Sequence, residues 1–280
     1  MNLIDWIGRS ETLADDITAF PVVGMAATLD APMSRPEPGF ALPPLWHWLY
    51  FLPTARQSDI TADGHPKRGG FLPPVELPRR MWAGSQLEFH QPLRVGQRVT
   101  RHSTIMDVTE KHGRSGHLVF VKVRHDYTAE ADTTLALREF HDIVYRQAAT
   151  PSDPVTPPTP APEGAQWERV IKADDVFLFR YSALTFNGHR IHYDRPYVTG
   201  VEGYPGLIVH GPLLATLLLE QIRQHLPDAV VKTFRFRAIR PTFDVNPFTI
   251  CGRVEEGGKV KLWGRDHEGW LTMDGEAEIG

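Results

Sequence analysis

Five side chains that can carry charge, orient a ring or move a proton fall in one short run: Asn187, His189, Arg190, His192 and Asp194. An imidazole titrates near neutrality and can take and return a proton. A carboxylate ahead of a helical turn caps it. Beyond a Gly/Pro-containing return, His210-Gly211-Pro212 opens an apolar segment containing Leu213, Leu214, Ala215, Leu217, Leu218, Leu219 and Ile222. The first N–H groups of a helix have no intrahelical partner and lie at the positive end of its dipole. Titratable groups beside such a terminus suit chemistry in which negative charge develops on a carbonyl oxygen. The stretch from Phe179 to Glu220 therefore reads as an active site, with the Gly211 N–H as its oxyanion donor.

The elements that must hold these groups are legible around them. Asp174 or Asp175 can cap a helix whose apolar positions are Val176, Phe177, Phe179 and Leu184, and Asn187-Gly188 falls where it would stop. Asp194, with Pro196 in the following turn, can open a short helix that fixes His192. From Pro212 to about His225 the segment is apolar on nearly every side, the pattern of a buried helix. His210 and Asp194 fit structural roles, as packing residue and cap, as well as chemical ones. His189 and His192 lie three apart with Asp194 nearby, but no fourth ligand or HExxH-type helix accompanies them, so no metal is expected.

The order Ser182-Ala183, then His192-Tyr193-Asp194 with Pro196, then a His-Gly that opens a buried helix resembles the type 2 enoyl-thioester hydratases of the MaoC-like hot-dog superfamily. Their pattern reads Asp-x-Asn-Pro-x-His-x-Asp-Pro. Alignment on His192-Tyr193-Asp194 puts Asn187 where that family has its catalytic aspartate and His189 where it has asparagine. The longer run TFNGHRIHYDRPY is more similar to two-domain hydratases of branched or dicarboxylic acyl-CoA esters (itaconyl-, mesaconyl- and methylfumaryl-CoA) and to mitochondrial-type hydroxyacyl-thioester dehydratases. In those an asparagine here is an expected variant. The resemblance implies an α+β double hot-dog, two antiparallel sheets each wrapping a long helix, and a hydratase or dehydratase. His192 would be base and then acid, Asn187 would position the water, and the Gly211 N–H would hold the enolate oxygen. His192 is then the only strong proton-transfer group at the matched positions, with His189, Asp194 and His210 as candidates for a second role. Coenzyme A is part of the substrate, and no further cofactor is implied.

The rest of the chain fits such a frame. A net charge of −4 gives no electropositive signal for nucleic acid, and the single cysteine, Cys251, excludes an intrachain disulfide or a cysteine zinc cage. The N-terminus has acidic residues and no long apolar run, which argues against a signal or membrane helix and makes the cytoplasm the default. Ser10-Glu11-Thr12 followed by Leu13, Ala14, Ile17 and Phe20 reads as an amphipathic helix ended or bent by Pro21. Trp46, Trp48, Tyr50 and Phe51 form an aromatic cluster of core or interface type inside a Pro/Gly-rich stretch.

Runs rich in Val, Thr, Phe and Tyr over 81–89, 97–109, 116–127 and 133–145 predict an antiparallel meander, and similar runs return over 231–239, 248–255, 259–266 and 269–279. A proline-rich linker over 151–165 divides residues 1–150, a degenerate unit that supports the fold and shapes the acyl tunnel, from residues 166–280, the catalytic unit.

Lys232, Arg235 and Arg237 alternate along one predicted strand and could line the path of the coenzyme A phosphates. Arg235 and Arg237 share a face, and Lys232 falls on the other unless a bulge intervenes. Arg190 offers a bidentate fork for a second substrate carboxylate, and His189 and His210 complete the set of candidate substrate contacts. A thioester hydrolase and a non-catalytic acyl-thioester-binding subunit are the competing functions, and monomer or homodimer is left open.

Overall fold

Strands form where apolar and polar residues alternate. In a computed structural model describing residues 2–113, 116–130, 134–147 and 157–280, Val119, Val121 and Val123 are buried while Lys122 between them and Arg124 after them are not. The elements in chain order are β1 (Ser10–Asp16), α1 (Ala19–Thr28), β2 (Arg79–Phe89), β3 (Arg98–Gly113), β4 (Gly116–Ala129), β5 (Leu135–Arg146), β6 (Trp167–Ile171), α2 (Asp175–Leu184), α3 (Arg195–Gly200), α4 (Gly211–His225), β7 (Val231–Ala238), β8 (Phe248–Glu255), β9 (Lys259–Arg265) and β10 (Leu271–Ile279).

The strands make one ten-stranded antiparallel sheet in the order β1-β3-β4-β5-β2-β7-β10-β9-β8-β6. The order repeats about its centre: β2, β5, β4, β3, β1 on one side match β7, β10, β9, β8, β6 on the other. The seam between the halves is the antiparallel pair β2–β7, running from Gly84 opposite Arg237 to Glu88 opposite Thr233. The double hot-dog architecture therefore holds, with its two sheets fused edge to edge.

Helix α4 is the long buried helix expected from its composition. Leu213, Leu214, Leu217, Leu218, Leu219 and Ile222 are each at most 4% exposed. Each such side chain contributes about 1.5–3 kcal/mol over an exposed one, far more than helix propensity supplies. The N-terminal half departs from the expectation of a second long helix. Only the short α1 and 3₁₀ turns occur between β1 and β2 among the described residues, and the aromatic cluster fills the space: Trp46, Leu49, Tyr50 and Phe51 join the core built around α4.

Two further points correct the sequence reading. Residues 10–16 form β1, paired along β3 from Ser10 opposite Thr104 to Asp16 opposite Arg98, because an open sheet edge satisfies their backbone groups. The helix begins only at Ala19, and Pro21 lies in its first turn, where a missing N–H costs nothing. Of the predicted linker, 151–156 lies outside the described residues, while Thr159 and Ala161 pair with Leu271 and Gly269 beside β10. No helix among the described residues is long and apolar enough to cross a membrane.

Candidate active site

The loop that carries Asn187, His189, Arg190 and His192 is held from both ends. Asp174 Oδ1 accepts the Phe177 N–H at 2.8 Å and starts α2. At the other end of the loop Asp194 Oδ1 accepts the Tyr197 N–H at 3.0 Å and starts α3, which keeps its carboxyl below the usual range, with Arg190 assisting. Arg195 ties Asp175 on α2 to the buried Asp244, at 2.5 Å each. Between the helices Asn187 Oδ1 accepts the His189 N–H at 3.0 Å. That bond engages the amide oxygen and leaves the Asn187 NH₂ group to donate.

His192 lies in the 3₁₀ turn Arg190–His192 and is 8% exposed. Its Nδ1 is 2.7 Å from the Ile208 carbonyl oxygen. A carbonyl only accepts, so Nδ1 carries the proton and Nε2 presents a lone pair. Burial lowers the His192 pKa to about 4, against the partial opposition of the Ile208 bond, so the ring is a neutral acceptor at pH 7. The Ile208 carbonyl is itself placed by backbone: Ile208 N–H donates to Ile191 O at 3.0 Å, and Val209 N–H to Thr242 O at 2.9 Å.

Behind His192 stands His210, with ring centroids 3.7 Å apart and planes 17° from parallel. His210 is 1% exposed, and its Nε2 meets Ser182 Oγ at 2.8 Å. Desolvation holds its pKa well below the ordinary value. His210 thus backs the His192 ring from the protein side. Gly211 is the first residue of α4, and a Cβ built on it would meet nothing within 4 Å. Open space thus adjoins an N–H without an intrahelical acceptor, the geometry an oxyanion site needs.

A loop of the N-terminal half completes the site. Asp63 Oδ2 lies 3.1 Å from His65 Nδ1, a bond that holds the Asp63 carboxyl far below the usual range. The His65 ring lies 3.9 Å from that of His189, and His189 meets His192 edge-on at 5.5 Å. Burial lowers the His189 pKa to about 2. The loop is pinned by Arg190, whose N–H donates to Asp63 O at 2.9 Å and whose guanidinium reaches Ala62 O at 3.0 Å. Asp63, His65 and His189 bring three donor atoms within 4.8 Å of one another, so a divalent ion would find its ligands here rather than at His189, His192 and Asp194.

The model of the hydroxyacyl-thioester dehydratase type 2 family matches residues 45–244. The chain is 47% identical over 278 residues to the mesaconyl-C(4)-CoA hydratase of Chloroflexus aurantiacus, covering 98% of this chain and 97% of the relative. The chain belongs to the hydroxyacyl-thioester dehydratase type 2 family. To the mitochondrial hydroxyacyl-thioester dehydratase type 2 of Schizosaccharomyces pombe it is 29% identical, covering 84% of this chain and 82% of that one. Its fold is that of a MaoC-like dehydratase from Phytophthora capsici, with a TM-score of 0.68, 14% identity, and 99% and 97% of the two chains covered. As a member of this dehydratase family the chain is a hydro-lyase, and the resemblance drawn from TFNGHRIHYDRPY holds.

Other expected contacts of this hydro-lyase lie elsewhere. Arg190 grips Asp194 through Nε at 2.9 Å and NH2 at 2.8 Å, with its guanidinium 4.0 Å above the Tyr197 ring, so its fork is already occupied. Arg235 and Arg237 are exposed while Phe234 and Phe236 face the core, which puts the cations on the sheet face away from α4 and His192. The ladder skips a residue opposite Glu278 and Ile279, and this bulge brings Lys232 to the exposed side as well. Arg235 pairs there with Glu276 at 3.1 Å. These three do not line a route to the site. Asp63 and His65 escaped the sequence reading because they sit in a Pro/Gly-rich segment without periodicity; the Asp-Gly-His-Pro run was its one local signal.

Proposed function

We propose that this hydro-lyase adds water to, or in reverse removes it from, a short branched or dicarboxylic enoyl-CoA of the mesaconyl, itaconyl or methylfumaryl type. The observation that carries the reading is the tautomer of His192: a buried, neutral ring with its Nδ1 proton committed to Ile208 and its Nε2 free, beside the open N-terminus of α4. The identity to the mesaconyl-C(4)-CoA hydratase supports the substrate class.

In the hydration direction Nε2 of His192 takes a proton from water as the oxygen attacks the β-carbon of the conjugated thioester. Electron density passes through the α-carbon to the thioester oxygen, where the Gly211 N–H and the helix dipole stabilise it. The imidazolium returns a proton to the α-carbon, so acid and base are one residue used twice. Asn187 cannot accept a proton in this scheme; its NH₂ group donates to the water oxygen and fixes its approach. The C-terminal half carries these groups, and the N-terminal half closes the site over them. The scheme calls on no metal or separate cofactor.

Hydrolysis of the thioester is the weaker reading. It calls for a free acidic group directing water at the carbonyl, and the buried carboxylate of α4, Glu220, is already held by Trp46 Nε1 at 3.2 Å and Arg223 Nε at 2.8 Å. The test is loss of enoyl-thioester absorbance with mesaconyl-CoA and crotonyl-CoA, with a thiol reagent in parallel and His192→Ala as control. Absorbance loss without thiol release, absent in the variant, is expected; thiol release would establish the hydrolase instead, and silence in both channels a binding role.

A further inference from the structure

A dicarboxylic enoyl thioester brings a second negative charge within a few bonds of the carbon that water attacks. That charge must be met inside the site by a cation free of other carboxylates, because an unpaired buried carboxylate is strongly disfavoured. Arg190 is bound to Asp194, Arg195 to Asp175 and Asp244, and Arg79 to Glu202 at 3.1 Å. None of these has its fork open.

Arg80 does. In the β2–β5 ladder it lies opposite Tyr145, and Tyr145 in turn lies opposite Val119 on β4. Residues directly opposite in an antiparallel ladder share a face. Tyr145 and Val119 are at most 2% exposed, so this face is the interior one. The preceding residue, Arg79, bonds the Tyr204 hydroxyl at 2.6 Å as well as Glu202, which anchors the start of β2 against the segment that follows the His192 loop. Among the described residues no carboxylate lies within ion-pair distance of Arg80; its neighbour is the Tyr145 hydroxyl. Burial is the main cause of the lowered pKa of His189 and of His141, and the charge of Arg80 adds to it in both. Around Arg80 itself this face is apolar, with Tyr145, Ile143, Val119 and Val121 buried beside Val75 and Leu77; it becomes polar further along, where Ser85 and His141 are opposite one another and Glu139 accepts from Ser85 at 2.8 Å and from Trp48 at 3.1 Å.

We infer that Arg80 is the receptor for the free carboxylate of the substrate and sets the preference for dicarboxylic over simple enoyl thioesters. This rests on the proposed dicarboxylic substrate class. A guanidinium can take both carboxylate oxygens in one plane, and the Tyr145 hydroxyl beside it can hold the guanidinium in orientation. The N-terminal half then contributes the recognition of the acyl group, and the C-terminal half its chemistry.

The experiment compares kcat/KM for mesaconyl-CoA and crotonyl-CoA, which lacks the carboxylate, in the parent, Arg80→Met and Arg80→Lys. It adds competitive inhibition by succinyl-CoA against butyryl-CoA, a pair that needs no turnover. The expected result is a preference for mesaconyl-CoA in the parent that falls by at least ~100-fold in Arg80→Met, as for a site left with an unpaired polar group. Part of it should return in Arg80→Lys, and the succinyl-CoA advantage should fall in parallel. A variant that loses both substrates equally, or keeps the parent's preference, overturns this assignment alone. A parent that takes crotonyl-CoA as readily as mesaconyl-CoA overturns the dicarboxylic reading and the assignment with it.

Discussion

Burial keeps the His192 ring unprotonated, the state that the proposed base needs. An ordinary imidazole would be half protonated near pH 6.5, whereas desolvation takes this one to about 4. A base must be unprotonated, so lowering its pKa moves the loss of activity to lower pH. The acid limb of kcat/KM should therefore lie well under 6, measurable as initial rates from pH 8 to 4.5 at substrate concentrations below KM. Replacing His192 by Gln, which keeps a donor but cannot shuttle protons, should lower kcat by about 10²–10⁴ with little change in folding, checked by kinetics and circular dichroism. At this scale the sequence was informative about residue type and poor about partners. The loop setting of Asn187 and His192, the place of Gly211 at a helix start and the cap Asp194 could be read from their order along the chain. Arg190 and the Lys232, Arg235, Arg237 series were misplaced because a cation is visible in sequence, but the acid that holds it, or the bulge that turns it outward, is not.

Two backbone segments, 61–65 and 187–190, meet main chain to main chain at Gly64 and Gly188. A Cβ on Gly64 would stand 1.8 Å from the Gly188 carbonyl oxygen, and Gly64 has φ +93°, where other residues are strained. Gly64→Ala should push the Asp63–His65 loop off His189 and lower kcat/KM at least ~10-fold, while costing about 1–3 kcal/mol of stability. Steady-state kinetics beside thermal melts would show it, and an active, unshifted variant would mean the loop is incidental. The elements themselves were largely legible. Helix α4, α2 and eight of the ten strands, all but β1 and β6, follow from local composition and alternation. The short β1 and β6 were not, since edge strands of mixed polarity owe their conformation to the neighbour they pair with.

At the scale of the whole molecule the halves are joined by a seam with little room. A Cβ on Gly84 would lie 2.3 Å from the Phe236 carbonyl oxygen, so Gly84→Val should force β2 and β7 apart, lower the melting temperature by several degrees and cost at least ~2 kcal/mol, read from urea unfolding. Such pairings join residues about 150 apart in the chain, which is why the strands could be foreseen but their order could not. Acid should also unfold the protein early. Burial lowers His125 to about 3, His141 to about 4 and His189 to about 2, alongside His192 and His210. The unfolded chain regains values near 6.5, so as pH falls below that it binds protons the native state does not. Stability is then complete above about pH 6.5 and declines toward pH 4, by up to ~1.4 kcal/mol per pH unit for each group. Melting temperatures between pH 7.5 and 5 would follow the decline; a flat profile would contradict the burial of these rings.

The contact of Gly64 with Gly188 also constrains how such a chain can be recombined. A chimera that takes its N-terminal half from one relative and its C-terminal half from another divides the main hydrophobic core, which both halves build, and also crosses between two backbones that touch. Crossovers on either side of both glycines should be tolerated, and those between them should fail unless the parents match at both loops. At this contact the incompatibility would come from main chain rather than side chains, so no compensating side-chain substitution would repair it.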